Sequence, residues 1–233
     1  MKKYFNKDLI NKAKKHASEV FPEESCGFFV GNEYIKMNNL AENKKTDFVI
    51  DTKEYIKYDK DIQCIIHSHN NYKHASRKDM EQQIATARPW GIINVVNGSP
   101  KDVIFWGDQL ERQDFLGRPF HHGVYDCYSL VRDYYKVEKK IELREILREC
   151  FHWTEDSMLD NLYSGLGFEK ISREEVVPGD GIFFSMSSKW TDHCGILLDK
   201  GLVLHHCFNR LSTREPLVSY NKYISGYLRY KKC

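Results

Sequence analysis

No window of this chain approaches the ~20 consecutive apolar residues that a membrane-spanning helix requires, so no span is expected. The N-terminus, MKKYFNKDLINK, has no apolar stretch of the kind a secretory signal needs, so none is expected there. Basic residues gather into no stripe: Lys and Arg number 35 against 33 Asp and Glu, for a net charge of +2. A nucleic-acid partner, which needs a positive face, is therefore not expected. The seven cysteines (Cys26, Cys64, Cys127, Cys150, Cys194, Cys207, Cys233) are odd in number and irregular in spacing. That excludes a regular disulfide framework and points to synthesis in a reducing compartment. Internal repeats and low-complexity segments are absent as well.

At 233 residues the chain is long for one domain and comfortable for two of roughly 100 residues each. Leu9, Ile10, Ala13, Ala17 and Val20 fall at helical spacing and predict a helix over 7–20, ended by Pro22. Strands are expected at 26–30, 47–51, 62–66, 91–96 and 103–106, with a helix at 78–87 stopped before Pro89. The stretch from Gly107 to Gly123 is polar and broken by Gly117, Pro119 and a His pair, so it reads as a linker. A strong helix is expected from Cys127 to Val137, with Leu130, Val131, Tyr134 and Tyr135 on one stripe. Strands at 181–184, 195–198 and 202–207 follow a Pro178-Gly179-Asp180 turn. The expected organisation is α+β in two domains, residues 1–108 and 123–233, joined by a linker at 109–122.

Chemistry concentrates at two places. His67 and His69 sit at the end of a strand, where side chains alternate faces, so both imidazoles project to one side. That spacing suits two nitrogen ligands of a metal, with Asp79 as an anionic third. Glu24 would carry a proton for a metal-activated water; its neighbour Glu23 is the rival, and spacing to Cys26-Gly27 favours Glu24. Ser76-Arg77-Lys78-Asp79 also fits a helix capping box, a role compatible with aiming Asp79 at the histidines.

In the second half Cys127 begins a helix immediately after Asp126, a natural N-cap. A thiol there feels the positive end of the helix dipole and shifts toward thiolate. His193, His205 and His206 are the candidate partners. A three-residue hairpin at Asp199-Lys200-Gly201 would put Leu198 opposite Leu202 and turn His205 to the face of His193, whereas a two-residue turn would select His206. The three-residue turn is favoured. Cys26, Cys64, Cys150, Cys194 and Cys207 are expected to be small buried apolar side chains.

The first set resembles the JAMM (MPN) metallopeptidase family through Glu24-Ser25-Cys26-Gly27, His67-Ser68-His69 and Ser76-Arg77-Lys78-Asp79, over about residues 5–106. The resemblance implies an α/β sandwich and a zinc ion, Zn2+, on His67, His69 and Asp79. It makes Glu24 the proton carrier and has Ser76 help hold the polarised substrate oxygen. The family commonly has Pro after the second His, where this chain has Asn70.

The second set resembles the NlpC/P60 cysteine peptidases over about residues 119–230. Its motifs are Asp126-Cys127-Tyr128-Ser129-Leu130-Val131, Pro178-Gly179-Asp180, His193-Cys194-Gly195-Ile196 and Leu204-His205. The resemblance implies a papain-like α+β domain with Cys127 as nucleophile, His193 as base and His205 as orienting residue. The family's usual Cys-Ser-Gly is Cys127-Tyr128-Ser129 here. Peptidoglycan stem peptides are its implied substrate.

The two modules in this order, joined by Gly117-Arg118-Pro119-Phe120-His121-His122-Gly123, resemble the lambda-type phage tail tip assembly proteins. That resemblance implies other tail tip proteins as partners, with synthesis in the host cytoplasm and then residence at the virion tail tip. The alternative is a structural tail-assembly component whose hydrolase sites are not required.

Overall fold

The computed structural model describes residues 4–107, 109–148 and 158–231, which leaves Cys150 and Cys233 outside the described residues. The chain divides into two compact units, Met1–Arg112 and Gln113–Cys233, each mixing helices with one sheet. Among the described residues no helix is long and apolar enough to cross a membrane.

In the first unit, α1 (Lys7–Val20) forms where its periodicity predicts, with Asn6 accepting from the Asp8 amide at its start. Its Leu9, Ala13 and Ala17 pack on Phe29, Cys64, Ile66, Ile93 and Val95 of the sheet. The sheet strands are β1 (Cys26–Val30), β2 (Glu33–Met37), β3 (Ile62–Asn70), β4 (Trp90–Val96) and β5 (Ser99–Trp106), in the order β2-β1-β3-β4-β5. β3 and β4 are the parallel pair, and the helix α3 (Arg77–Thr86) makes the crossover between them. A crossover leaves from the C-terminal end of its first strand. That end carries His67 and His69.

The strand expected at 47–51 does not form. This segment leads into a short helix, α2 (Thr52–Tyr58), whose N-cap is Asp51, accepting from the Lys53 and Glu54 amides. Phe48 lies on the His67 ring, centroids 4.6 Å apart. Of the apolar residues that suggested a strand, Phe48 instead covers the end of β3 while Val49 is exposed, and a local cap outcompetes sheet pairing.

The first helix of the second unit is α4 (Cys127–Tyr134), which continues through a wider π-type turn at Tyr135–Lys139, and a short α5 (Met158–Leu162) follows. Its antiparallel sheet contains β6 (Phe168–Ile171), β7 (Gly181–Phe184), β8 (His193–Leu198), β9 (Leu202–His205), β10 (Thr213–Pro216) and β11 (Ile224–Tyr230). The strand order is β10-β9-β8-β7-β11-β6. Leu130 and Val131 of α4 pack with Phe183, Cys194, Ile196 and Leu204 on one face. Ile182, Phe184, Leu197, Val203 and Tyr220 fill the other.

The expected linker at 109–122 is chain of the second unit from Gln113 onward. The reason is Arg118, a cation buried to 2% exposure. Its guanidinium donates to the Asp133 carboxylate at 2.6 Å and to the Gln113 carbonyl at 2.8 Å, and its amide donates to Ser212 Oγ at 2.9 Å. A buried charge must be paired, and these partners hold the segment down.

Candidate active sites

The first constellation follows from strand alternation. Cys26 of β1 pairs with His67, so Glu24, just before β1, is carried to the end of β3 where both histidines emerge. The two Nε2 atoms are 2.9 Å apart. Asp79 completes the triangle, Oδ1 at 3.2 Å from His67 Nε2 and Oδ2 at 3.2 Å from His69 Nε2. Glu24 Oε1 lies 4.0 Å from His69 Nε2. All four side chains are buried.

Ser76 caps α3. Its Oγ accepts from the Asp79 amide at 3.1 Å, and the Asp79 carboxylate accepts from the Ser76 amide and hydroxyl, each at 2.7 Å. The capping box and the aiming of Asp79 are therefore one arrangement, although Asp is not the residue such boxes prefer at that position. The Ser76 hydroxyl proton goes to Asp79 here. Glu23 is exposed beside Lys44, at 3.8 Å, so burial selects Glu24 from the pair. Asn70, where a Pro is common, donates to the Pro22 carbonyl at 2.6 Å and the Lys45 carbonyl at 3.0 Å. A proline could tie down neither.

The electrostatics follow from burial. Burial would raise Asp79, but the two imidazoles outweigh it and hold the carboxyl well below the usual carboxylate range. Burial lowers His67. Burial opposes the charged form of His69 too, yet the Asp79 carboxylate wins and its pKa is raised. Glu24 is pushed by burial up to about 8, against the opposing pull of His69.

Two imidazole nitrogens and a carboxylate at a tetrahedral zinc, with bonds of roughly 2.0–2.2 Å, stand about 3.3 Å from one another. Here the nitrogens are 2.9 Å apart, and the Asp79 carboxylate turns a different oxygen to each at 3.2 Å, Oδ1 to His67 and Oδ2 to His69. The donor set fits such an ion in both chemistry and spacing. His74, which could have competed, is buried against Tyr72 and is not part of the cluster.

The second constellation is built on the start of α4. Asp126 accepts from the Ser129 amide at 3.0 Å, and its amide donates to Ser129 Oγ at 2.7 Å, a reciprocal cap that leaves Cys127 as the first helical residue. Arg148 anchors the cap, donating to Asp126 Oδ2 at 2.6 Å and to the Gly123 carbonyl at 2.6 Å. β8 begins at His193, two residues before the expected start at Gly195, because Phe184 of β7 pairs with it.

The hairpin has the three-residue register: Leu198 faces Leu202 and Gly195 faces His205. His205 thereby shares the face of His193, with Nδ1 3.1 Å from His193 Nε2. His206 turns away, packing edge-on to Phe120 with ring centroids 5.2 Å apart. Gly195 makes the approach possible, since a Cβ there would lie 3.1 Å from the His205 Cβ and 2.9 Å from the Leu204 carbonyl oxygen.

Beyond His205 the polar chain continues. His205 Nε2 donates to Glu215 Oε2 at 3.0 Å, and Tyr220 donates to the same oxygen. Neither residue was legible as a site residue, since both lie on polar stretches without a motif. Cys207 is the clearer miss. It was expected to be apolar filler, yet it is half-buried with Sγ 3.6 Å from His205 Nδ1 and 3.9 Å from His193 Nε2. The same alternation that selects His205 selects residue 207. Cys26, Cys64 and Cys194 are buried as expected.

The Cys127 thiol is drawn well below its ordinary value, by the neighbouring Cys194 thiol and by His193, which together outweigh burial. Cys194 is pushed up correspondingly. The helix N-terminus favours this partition, with the negative charge on Cys127. Burial opposes a charged His193, but Cys127 and Cys207 raise it to about 10. Both shifts run toward a thiolate on Cys127 beside an imidazolium on His193.

Residues 117–229, within the second unit, match the NlpC/P60 family. A solved NLP/P60-family structure from Staphylococcus aureus is similar at 20% identity and a TM-score of 0.38, over 51% of this chain and 38% of that one. Over most of its length the chain is similar to tail tip assembly protein K of Escherichia phage N15, 30% identical over 215 residues, 88% of this chain and 86% of that protein. Its namesake in Escherichia phage lambda is 30% identical over 163 residues, 66% of this chain and 74% of the relative. The chain belongs to the family of these tail tip assembly proteins.

Proposed function

We propose that the chain is a phage tail tip component whose second unit is a cysteine peptidase acting on amide bonds of peptidoglycan stem peptides. The observation that carries this reading is the chain of contacts from Cys127 through His193 and His205 to Glu215. Its proton positions follow from the end inward. Glu215 accepts, so His205 carries its proton on Nε2 and offers a lone pair at Nδ1. His193 then donates Nε2–H to that lone pair, which leaves Nδ1 as the nitrogen that exchanges a proton with Cys127.

The reaction uses that polarity. The Cys127 thiolate attacks the scissile carbonyl carbon, and the imidazolium passes its Nδ1 proton to the leaving amine. His193, now neutral, takes a proton from water as that water attacks the thioester. The acid is released and the imidazolium–thiolate pair returns. A positioned acid–base of this kind is worth roughly 10²–10⁴-fold in rate.

For the first unit the reading is a JAMM/MPN-type zinc hydrolase cutting a peptide or isopeptide bond, with a tail partner as its substrate. His67, His69 and Asp79 would hold the ion, which when bound supplies Lewis-acid activation of water and carbonyl. Ser76 fixes Asp79 through the cap. Glu24 is the residue that holds and returns a proton at its carboxylate, beside the ligands yet not one of them. Membership of the tail tip family supports residence in the virion tail and other tail tip proteins as partners, and the reading adds synthesis in the host cytoplasm before assembly.

The deciding experiment is digestion of purified peptidoglycan and soluble stem peptides, read by mass spectrometry, with the intact protein and its Cys127→Ala variant. Cleavage that disappears with Cys127 is expected. Fragments of the same kind from both proteins would overturn the assignment.

A further inference from the structure

Cys207 has no part in the reaction above, yet it sits where it could stop that reaction. Its Sγ and the nitrogens His193 Nε2 and His205 Nδ1 form a triangle with edges of 3.1, 3.6 and 3.9 Å. All three residues hang from two neighbouring strands and the residues just after them, so the triangle is held by the sheet. At a tetrahedral zinc, bonds of roughly 2.0–2.1 Å to nitrogen and 2.3 Å to sulfur put the nitrogens about 3.3 Å apart and the sulfur about 3.6 Å from each.

The surroundings suit a cation as well as the spacing does. Glu215 accepts the Nε2 proton of His205 at 3.0 Å, which leaves the Nδ1 lone pair directed at the triangle. A thiolate with two imidazoles is a donor set that selects a thiophilic divalent ion over Mg2+ or Ca2+.

We propose that His193 Nε2, His205 Nδ1 and Cys207 Sγ form an inhibitory site for a zinc-class cation, separate from the cluster on His67, His69 and Asp79. The inference rests on the peptidase reading of the second unit for its consequence, not for its geometry. Binding displaces the proton between His193 and His205 and the thiol proton of Cys207. A neutral His193 that gives its Nε2 lone pair to a metal keeps its remaining proton on Nδ1. The imidazolium beside Cys127 thus becomes a neutral imidazole, so the thiolate loses its counter-charge and takes up a proton from solvent. The occupied Nδ1 can accept none from that thiol or from the water that would attack the thioester. The cation therefore holds the peptidase off until a chelator or a competing ligand removes it, and Cys207 serves the cation rather than the substrate.

The test uses the full-length protein with Co2+ and Zn2+ as probes. Co2+ should give a near-ultraviolet thiolate charge-transfer band in the wild type and in Asp79→Asn, since the first cluster contains no sulfur. The band should persist in Cys127→Ala and vanish in Cys207→Ser and Cys207→Ala. Zn2+ should slow alkylation of Cys127 in the wild type, with EDTA restoring the rate. In Cys207→Ser the Zn2+ needed should rise by more than the roughly 10–100-fold that loss of an outer-shell partner costs. A circular-dichroism spectrum and a melting temperature matching the metal-free wild type establish that Cys207→Ser is folded. No band in the wild type, a band that survives loss of Cys207, or one that needs Cys127 instead would overturn the proposal. The band and alkylation are read without substrate, so they decide the site even where no form of the protein cleaves peptidoglycan, a result that would count against the peptidase reading alone.

Discussion

His205 and Glu215 are joined by a 3.0 Å hydrogen bond from the imidazole Nε2 to the carboxylate, across the pairing of β9 with β10. This contact decides which nitrogen of His205 carries its proton, and through it which nitrogen of His193 faces the thiol. Replacing Glu215 with Ala should lower kcat by roughly 10–100-fold, a part of the 10²–10⁴-fold available to the whole acid–base apparatus. KM should change little, because Glu215 acts on the thiol only through His205 and His193. Steady-state kinetics on a soluble stem peptide check this, and an unchanged kcat would sever Glu215 from the mechanism.

Cys127 should react as a thiolate in mild acid. Its pKa is drawn well down while that of His193 is raised to about 10. At pH 6 an ordinary thiol with a pKa of about 8.5 is less than about 1% ionised, and Cys127 should exceed it clearly. The expected result is rapid carboxymethylation of Cys127 at pH 6, slowed in His193→Ala. Peptide mapping distinguishes it from Cys207, which is itself lowered to about 6 by the two histidines against burial.

Glu24 makes a stability prediction with a definite sign. Burial raises its folded pKa to about 8 from an ordinary 4.5 in the absence of metal. The folded protein then binds more protons than the unfolded chain between those values, so stability falls as pH rises from about 4.5 to about 8. Glu24→Gln should flatten that decline. Thermal melts across the range, in the presence of a chelator, measure it.

Metal on the first cluster should stabilise the fold. An ion that binds only the native state at 100 times its Kd adds about 2.7 kcal/mol. Zinc should raise Tm in the wild type and in Cys207→Ser. In the Cys207→Ser background, which leaves only the first cluster, Asp79→Asn should forfeit most of the effect, since the carboxylate touches both His67 and His69. An equal zinc shift after Asp79→Asn in that background would remove Asp79 from the ligand set.

Arg148 and Asp126 are a buried ion pair at 2.6 Å, both side chains 3% exposed. Arg148→Ala strands a carboxylate at the start of α4 and should cost about 3–5 kcal/mol. The double variant Arg148→Leu with Asp126→Asn should recover part of that loss. Denaturant melts of the two variants check the order.

How much could be read beforehand differs between elements. α1, β1 and β7 were legible to the residue, α1 from its helical apolar spacing, β1 and β7 as short apolar runs bounded by Gly31 and by the Pro178-Gly179-Asp180 turn. β2 and β10 were not, since edge strands with polar, exposed side chains have no apolar alternation to read. The helix at Thr52–Tyr58 was hidden for the opposite reason: it buries no residue, and its cap at Asp51 outweighed the apolar run before it. Residues 113–122 looked like free chain because the anchors of Arg118, at Asp133 and Ser212, lie far along the sequence.

By itself the sequence determined the candidate chemistry. His67 and His69 two apart on a strand, Asp79 three after a capping serine and Cys127 one after a capping aspartate are short-range patterns, written in the local geometry of strands and helix starts. Tertiary structure alone decided what those groups meet. It buried Glu24 and left Glu23 exposed, and it set His205 rather than His206 beside His193, both as the sequence favoured, and it brought in Glu215, Tyr220 and Cys207 with no motif to announce them. The reason is physical. A side chain's direction follows from its own backbone, whereas its partners and proton affinity depend on charges and burial supplied by strands and helices distant in the chain.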